Sequence, residues 1–340
     1  MPSLNENFES ERLRIYALQD GAIRAQALAF CLRTNMFERL ANGPLTMEEL
    51  GLAPRVAPAL LAFLTNQGLA ERDERGRFKS TPITEHFLVR SSPRFIGGRS
   101  LLFWGFHDQI GHLGDALESG SPISNKGQAD LFGRFHADDH RWFAEGMLAN
   151  AVTGSEFLLN AVDFSKFRRL LDVGGNSGGY TIELLKKHPT LEASIFDLEA
   201  VRPLAEERIT QLELEKRCSF IAGSFFDDKL PTGHDVLLLA NILHDWDTAE
   251  CQHILGACRK AIQPEGTIIV IEPMLAENLT GPEHASVSGL TMALLGGENR
   301  TPSRISELLE DAGFIQTWKS TVGEQNSIVT ASCPKGNSSC

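Results

Sequence analysis

The sequence contains no long apolar run. None of its apolar stretches approaches the roughly 18 residues that a membrane-spanning helix needs, and the first residues, MPSLNENFESERLRIY, have no apolar signal core. We therefore expect a cytoplasmic protein without a membrane partner. The six cysteines form no C-x-x-C pair, which argues against a zinc site or a disulfide framework and favours reduced thiols.

The sequence also has too few basic residues to suit a nucleic-acid partner. Its 32 Lys and Arg stand against 44 Asp and Glu, a formal net charge of −12, whereas nucleic acids and anionic membranes attract clustered positive charge. The length of 340 residues exceeds one ordinary domain, and 42% hydrophobic with 22% charged residues is typical of a globular protein. These numbers favour two domains and a small-molecule partner, and they predict no nucleic-acid partner.

Short helices followed by a hairpin are predicted between about residues 21 and 88. GAIRAQALAFCLRTNMFERL has apolar residues at helical spacing, T-M-E-E at 46–49 has the form of a capping box, and VAPALLAFLTNQGL predicts a third helix. LAERDERGRFKST then predicts a hairpin that turns near Gly76. This order indicates a winged-helix-like unit, which we place at residues 1–100. Because residues 1–90 hold as many acidic as basic residues, a dimerisation or substrate-lid role is favoured over DNA binding.

Residues 101–160 are rich in aromatic side chains and are predicted to form a helical linker. Most of these rings are expected in the core, and some are expected to line a pocket for a flat, apolar substrate. We assign Trp104, Phe143 and Met147 to the substrate. In the same region His136 and His140 are four residues apart with two aspartates between them, a spacing that could hold a metal on one helical face. No glutamate base accompanies this pair, so we predict no metal and expect substrate contacts or a solvated face instead.

Alternating strands and helices follow from about Arg168. Near-continuous apolar strands such as RRLLDV, EASIFDL and HDVLLLA, separated by amphipathic helices, predict a parallel sheet covered on both faces. The last strand-like runs, IQTWKSTV and SIVTASC, are joined by the short turn GEQN and predict an antiparallel hairpin. The predicted fold is therefore α/β, a Rossmann-like sheet with an antiparallel terminal hairpin over residues 161–334, followed by a disordered tail at 335–340.

A glycine-rich turn follows the first of these strands, as in proteins that bind nucleotide-like cofactors. In DVGGNSGG, Asp172 closes the strand, and Gly174, Gly175 and Gly178 surround Asn176, which occupies the place of a middle glycine. Asn tolerates a positive φ better than most residues, so the turn can still form. A dinucleotide would place a pyrophosphate at the helix N-terminus. S-adenosylmethionine has no phosphate, and its cationic sulfonium and amino group favour a carboxylate such as that of Asp172.

A second acid, Asp197, ends the next strand. Its carboxylate can accept hydrogen bonds from two ribose hydroxyls in either kind of cofactor, so it does not distinguish them. The antiparallel terminal hairpin does, because dinucleotide-binding sheets usually remain parallel. Together, the glycine-rich turn, Asp172 and the antiparallel terminal hairpin favour S-adenosylmethionine.

Motifs along nearly the whole chain resemble those of the small-molecule O-methyltransferases of the caffeate, hydroxyindole and bacterial natural-product type. These motifs are the winged-helix-like unit, DVGG, FDL, LHDW and GGENRT. The resemblance implies a class I methyltransferase fold, S-adenosylmethionine as cofactor, a homodimer, and methyl transfer to a hydroxyl of a small aromatic or heteroaromatic metabolite. In that family the His of LHDW is the general base, which corresponds to His244. The acid of I-E-P that orients this base corresponds to Glu272, and Asn299 occupies the place of a second orienting glutamate.

The same resemblance assigns further residues to the cofactor: Asp197, Leu198, Ser224, Phe225, Asn241, Asp245 and Trp246. Met292 joins the substrate contacts, and Asp247 is predicted to cap the next helix. His244 and Glu272 end neighbouring strands at the carboxyl edge of the sheet, where ligands bind in such folds. An imidazole with an ordinary pKa of about 6.5 accepts a proton around neutral pH, so the chemistry of His244 agrees with its assigned role.

Three positions depart from the family pattern. They are Asn176, Ser224 in place of an aspartate that reads adenosine, and Asn299. A hydroxyl binds an adenine nitrogen less strongly than a charged partner does. The departures leave two other functions open: an enzyme of this fold that binds the cofactor but catalyses another reaction, and a non-enzymatic regulator. Binding of S-adenosylmethionine at micromolar concentration distinguishes an enzyme from the regulator. The sequence identifies neither the acceptor nor the atom that is methylated.

Overall fold

The computed structural model describes residues 4–122, 137–320 and 323–335, and it divides the chain into two compact units. The first unit ends at Gly105 and the second begins at Phe106. His136 lies outside the described residues, as does the side chain of His140, and the remaining described residues contain no metal-binding cluster. Within the described ranges, no helix is both long and apolar enough to cross a membrane.

Short helices and one hairpin make up the first unit. The helices are α1 (Leu4–Gln19), α2 (Gly21–Arg33), α3 (Met36–Ala41), α4 (Ala57–Asn66), α5 (Pro82–Phe87) and α6 (Gly98–Gly105). Strands β1 (Ala70–Arg72) and β2 (Phe78–Ser80) pair in antiparallel fashion, and Gly76 in their turn has a φ of +80°. The hairpin prediction is therefore confirmed. The helices pack around fully buried side chains that include Leu32, Phe37 and Leu64.

The T-M-E-E segment forms capping bonds without a helix. The amide of Glu49 donates to Oγ1 of Thr46 at 3.2 Å, and the amide of Thr46 donates to Oε2 of Glu49 at 2.7 Å. The residues that follow nevertheless form a turn. Gly51, with a φ of +70°, and Pro54 come directly afterwards, and both residue types end helices. The helix start that this pattern indicates was a wrong prediction.

A seven-stranded sheet forms the centre of the second unit. Its strands are β3 (Arg169–Val173), β4 (Glu192–Asp197), β5 (Cys218–Ala222), β6 (His234–Ala240), β7 (Ile262–Glu272), β8 (Ile315–Lys319) and β9 (Ser327–Ser332). Their spatial order is β5-β4-β3-β6-β7-β9-β8. The neighbours from β5 to β7 are parallel, whereas β9 is antiparallel to both β7 and β8. The predicted parallel sheet with an antiparallel terminal hairpin is confirmed.

Helices make up most of the remaining described part of the second unit. They are α7 (His107–Ile110), α8 (Leu113–Ser119), α9 (Ala137–Ala161), α10 (Gly179–Lys187), α11 (Arg202–Gln211), α12 (Thr248–Ala261), α13 (Glu283–Leu295) and α14 (Pro302–Asp311). Three 3₁₀ turns, at Phe164–Lys166, Glu199–Val201 and Leu243–Asp245, join some of them to the strands. Leu171, Leu238 and Ile269 in the central strands are fully buried, as expected for a sheet covered on both faces. The carboxyl ends of β3, β4, β6 and β7 meet at one edge, where the site lies.

Candidate active site

The glycine-rich turn between β3 and α10 has little room for side chains. Gly174 has a φ of +73°, and a Cβ at this position would lie 2.4 Å from Cδ1 of Ile242. Gly178, with a φ of +77°, precedes the first residue of α10. Asn176 has a φ of +50°, which is the left-handed conformation that the sequence predicted for it. The turn therefore forms with an amide side chain where a third glycine would be expected.

Asp172 lies beneath this turn and is 1% exposed. Its Oδ2 accepts a hydrogen bond from the hydroxyl of Thr181 at 2.6 Å, and its Oδ1 has no hydrogen-bond partner among the described residues. Burial raises the pKa of this carboxyl to about 7, and the Thr181 bond offsets only part of the effect. A Cβ at Gly175 would lie 2.6 Å from the carboxyl carbon, so this close packing requires a glycine. A buried carboxyl oxygen without a partner suits a cationic ligand group.

Asp197 lies at the end of β4 and binds the neighbouring main chain. Its Oδ2 accepts from the amide of Asn176, and its Oδ1 accepts from the amide of Leu198, each at 2.7 Å. Burial raises its pKa to about 6 despite these two bonds. Each carboxylate oxygen has a second lone pair, so Asp197 can also accept hydrogen bonds from hydroxyls of a ligand.

These groups line a cavity of about 760 Å³ in the second unit. Its volume falls within the range of cofactor and small-molecule pockets. The predicted cofactor residues that line it are Asp172, Gly174, Gly175, Asn176, Asp197, Leu198, Ser224, Phe225, Asn241, Asp245 and Trp246. Gly178 does not line the cavity; its left-handed backbone conformation lets the chain turn into α10. The structure thus brings nearly all the predicted cofactor residues to one cavity.

Aromatic rings form part of the cavity wall. The ring centroids of Phe225 and Trp246 are 5.7 Å apart, and those of Phe226 and Trp246 are 4.7 Å apart, both in edge-to-face arrangements. Oγ of Ser224 accepts from the amide of Phe226 at 3.2 Å, so this hydroxyl also shapes the turn. Sequence reasoning missed Phe226, although its position beside Phe225 was a usable signal.

Two of the four predicted substrate residues line the cavity. Phe143 and Met147, on α9, line the cavity. Met292 lies on α13 and is not a lining residue; its carbonyl accepts from the amides at the end of that helix. Trp104 belongs to the first unit, where the guanidinium carbon of Arg33 lies 3.6 Å from the centroid of its ring.

His244 lies in the segment that we call the LHDW turn (residues 243–246), which begins as a 3₁₀ turn after β6. The residue is 8% exposed, and its Nε2 lies 3.6 Å from Oδ1 of Asp245. Burial, and after it the charge of Arg300, lower the pKa of His244 to about 4. Burial also raises the pKa of Asp245 well above its ordinary value. His244 is therefore a neutral imidazole at neutral pH, the form that accepts a proton.

Glu272 is fully buried at the end of β7, beneath the LHDW turn. Its Oε2 accepts from the main-chain amide of His244 at 3.2 Å. Burial raises its pKa to about 7, although the charge of Arg300 and main-chain amides of the turn act in the opposite direction. The recorded bond joins Glu272 to the backbone that carries His244 and not to the imidazole ring.

Asn299 is 6% exposed, and its side chain is bonded to α13. Its Nδ2 donates to the carbonyl of Ala285 at 2.9 Å, and its Oδ1 has no partner among the described residues. A Cβ at Gly289 would lie 3.4 Å from the Asn299 Cβ, so the amide packs closely against the helix. The recorded contact thus joins Asn299 to α13 and not to the base.

Arg300 is a residue of the site that sequence reasoning missed. Its guanidinium donates to the carbonyls of Leu243 and Trp246, both at 2.9 Å. Its place in GGENRT was the only sequence signal, because the main-chain carbonyls that it binds cannot be identified from residue types.

Comparison with known proteins agrees with this geometry. The chain matches the O-methyltransferase domain family over residues 112–315. It is 34% identical over 306 residues to the 3-hydroxy-5-methyl-1-naphthoate 3-O-methyltransferase of Streptomyces sahachiroi, with 87% of each chain covered. It is 28% identical over 328 residues to the tetracenomycin polyketide synthesis 8-O-methyl transferase TcmO of Streptomyces glaucescens, covering 92% of this chain and 94% of the relative.

A solved structure shows the same fold over nearly the whole chain. Human N-acetylserotonin methyltransferase in complex with S-adenosylmethionine matches with a TM-score of 0.85 and 25% identity, covering 96% of this chain and 98% of that one. The family match covers more than half of the chain and includes the glycine-rich turn and the LHDW turn. The chain therefore belongs to the O-methyltransferase family.

Proposed function

We propose that this enzyme transfers the methyl group of S-adenosylmethionine to a hydroxyl of a small aromatic or heteroaromatic metabolite, with His244 as the general base. The observation that carries the proposal is the position of a buried, neutral imidazole in the LHDW turn. The next two residues of that turn, Asp245 and Trp246, line the cavity that contains the glycine-rich turn. His244 itself is not among the residues that line the cavity, and its two neighbours in the turn connect the proposed base to it.

The cavity residues fit S-adenosylmethionine. The unpartnered oxygen of Asp172 suits a positively charged sulfonium or ammonium group, and Asp197 suits the ribose hydroxyls. The faces of Phe225 and Trp246 suit an adenine ring. When bound, the cofactor supplies an electrophilic methyl carbon on a cationic sulfur. The cavity presents carboxyl groups to that cation, whereas a dinucleotide site would need main-chain amides at a helix N-terminus to bind a pyrophosphate.

His244 removes the proton from the acceptor hydroxyl, which makes the oxygen nucleophilic. A pKa of about 4 keeps the ring neutral at physiological pH but also makes it a weak base. Proton transfer is therefore favoured only if the imidazolium is stabilised as it forms. Asp245, with Oδ1 at 3.6 Å from Nε2, stabilises the imidazolium when its carboxyl is ionised, because the two opposite charges attract each other. Orientation of the two reactants supplies the rest of the catalysis.

The acceptor class follows from the cavity wall and from the relatives. Phe143 and Met147 give the α9 side of the cavity an apolar surface suited to a flat ring. The relatives named above are a hydroxynaphthoate 3-O-methyltransferase, a polyketide 8-O-methyl transferase and an N-acetylserotonin methyltransferase. These names support an aromatic hydroxyl as the accepting group.

We further propose that the enzyme is a homodimer whose first unit forms the interface. Helices α1 and α2 carry large apolar side chains that are exposed in the single chain, among them Leu13 (57%), Leu18 (66%) and Ile23 (74%). Apolar surface concentrated in this way is typical of an interface, and a second copy of the same chain is the commonest partner of such a surface.

Mass spectrometry of methyl transfer tests this function. The purified enzyme is incubated with S-adenosylmethionine carrying a deuterated methyl group and with a panel of hydroxylated naphthoates, quinones and indoles. A second panel carries amino groups in place of the hydroxyls. The expected result is a labelled product from a hydroxyl acceptor, and the Asp197→Asn variant should form it more slowly because ribose contacts are weakened.

The other outcomes of this experiment identify the alternatives. A labelled product only from the amino panel would mean N-methylation. Bound S-adenosylmethionine without any labelled product would favour an enzyme of this fold with different chemistry. A protein that binds no S-adenosylmethionine at micromolar concentration would favour a regulator.

A further inference from the structure

We propose that Arg300 is a positioning residue for methyl transfer, which holds the main chain of the LHDW turn so that the ring of His244 stays aimed at the acceptor hydroxyl. The inference rests on the proposed role of His244 as the general base. It concerns the backbone of the turn, because Arg300 acts through main-chain groups.

The Arg300 guanidinium bonds the two ends of the turn. Its side chain is fully buried. Nη1 donates to the carbonyl of Leu243, immediately before His244, and Nη2 donates to the carbonyl of Trp246, two residues after it, both at 2.9 Å. The thiol of Cys251 also donates to the Leu243 carbonyl, at 3.2 Å. A single planar group therefore fixes the distance between the two carbonyls that flank the base.

The amide and carbonyl of His244 itself are fixed by neighbouring residues. The amide donates to Oε2 of Glu272 at 3.2 Å, and the carbonyl accepts from the amide of Glu298 at 2.8 Å. A Cβ at Gly297 would lie 2.1 Å from that carbonyl oxygen, so the segment before Arg300 packs directly against the turn. With Arg300 in place, the backbone of the turn is held from both sides.

The chemistry of arginine suits this task better than that of lysine. The Leu243 carbonyl accepts the turn's own bond from the amide of Trp246 at 3.2 Å. A carbonyl oxygen has a second lone pair, so a planar guanidinium can donate to this carbonyl and to that of Trp246 in a fixed geometry. A lysine ammonium is a point charge that lacks this fork. Burial of the Arg300 charge is compensated by Oε2 of Glu298, 3.0 Å from Nη2 and on a largely exposed side chain. The group is thus a paired cation whose geometry, more than its charge, holds the turn.

The charge and the geometry of Arg300 can be separated by their effects on pH dependence. After burial, the Arg300 charge is the next cause that lowers the pKa of His244. The other titratable or charged groups around the base are Asp245 in the turn, Glu272 on β7, His284 on α13, Cys251 on α12 and Glu298. Loss of the Arg300 charge alone should raise the pKa of His244, so that protonation of the base begins at higher pH. A lysine keeps the charge and changes only the geometry.

The experiment compares Arg300→Lys and Arg300→Met with the control Arg304→Met. Arg304 is exposed and forms an ion pair with Glu307 on α14. The measurements are kcat and KM for the acceptor, Kd for S-adenosylmethionine, and kcat between about pH 3.5 and about pH 8, a window that includes the His244 pKa of about 4. We expect both Arg300 variants to lose at least about tenfold in kcat, with KM and Kd changed by less than about threefold. In Arg300→Met, the pH below which kcat falls should also rise by about half a pH unit or more. That pH should stay unchanged in Arg300→Lys and in the control.

Three results would overturn the inference. They are wild-type kcat in Arg300→Lys, an unshifted pH profile in Arg300→Met, and losses in kcat matched by equal losses in binding of S-adenosylmethionine. If Arg300→Met does not fold, Arg300→Lys, which keeps the charge and removes the planar fork, decides the test by its kcat alone. Full turnover in His244→Gln would instead reject the proposed base, so failure of the two proposals can be told apart.

Discussion

At the scale of single residues, the two cavity carboxyls make cofactor binding depend on pH. Burial raises the pKa of Asp172 to about 7 and that of Asp197 to about 6, so both become protonated as the pH falls below these values. A neutral Asp172 attracts a cationic sulfonium less, and a protonated Asp197 accepts ribose hydrogen bonds less well. We expect Kd for S-adenosylmethionine to rise by about tenfold between about pH 8 and pH 5.

Calorimetry with S-adenosylmethionine and with S-adenosylhomocysteine, which lacks the sulfonium charge, checks this prediction. The dependence should be weaker for the uncharged ligand, and it should also weaken in the matched variant Asp172→Asn. Equal Kd values for S-adenosylmethionine at both pH values would show that neither carboxyl is linked to binding.

Residues whose roles depend on their own chemistry or backbone could be predicted from the sequence, whereas those that act through distant main-chain atoms could not. Asn176 was expected in the left-handed region and has a φ of +50°. The roles of His244 and Asn299 stay predictions. Arg300 was missed because its acceptors are carbonyls more than 50 residues away in sequence. Asn299 shows the same difficulty, since its bond to the Ala285 carbonyl depends on how α13 is packed.

At the scale of elements, the start of α12 depends on a capping box. Oδ1 of Asp247 accepts from the amide of Glu250 at 2.8 Å, and Oε2 of Glu250 accepts from the amide of Asp247 at 3.0 Å. We expect Asp247→Ala to lower the free energy of unfolding by about 1 kcal/mol, or roughly 2–4 °C in Tm for a unit of this size. Asp247→Asn is the matched control, because Asn also caps helices well. Thermal unfolding followed by circular dichroism measures both, and an unchanged Tm in the alanine variant would contradict the cap's contribution.

Elements with strong periodicity were predicted more reliably than their ends. The apolar strands and the terminal hairpin were all found where expected. Strand β7 begins at Ile262, four residues before the apolar run that starts at Gly266. Its pairing with β6 shifts between His234 and Val236, and Glu265 has a φ of +62°. Such an irregularity depends on how the strand pairs with its neighbour. By themselves, Gln263, Pro264 and Glu265 predict a turn, so the start of this strand could not be predicted from the sequence.

At the scale of the whole molecule, the exposed apolar side chains of α1 and α2 predict a dimer. Light scattering at micromolar concentration should give twice the chain mass of 37.4 kDa. Ile23→Glu should shift the protein toward the monomer, because a charge would be buried in the interface. Ile83→Glu, also in the first unit at a 60% exposed position on α5, is the control and should leave the mass unchanged. A monomeric wild-type protein would contradict the proposed interface.

The central claim is that one cavity holds the methyl donor while His244 takes the proton from the acceptor. The most direct measurement is the rate of deuterated-methyl transfer by wild type and by His244→Gln, on an acceptor found in the hydroxyl panel, together with Kd for S-adenosylmethionine. Our account predicts that turnover falls by roughly 10²- to 10⁴-fold while Kd stays nearly unchanged, because the base acts on the acceptor and not on the donor. A loss of turnover of less than about tenfold would contradict it.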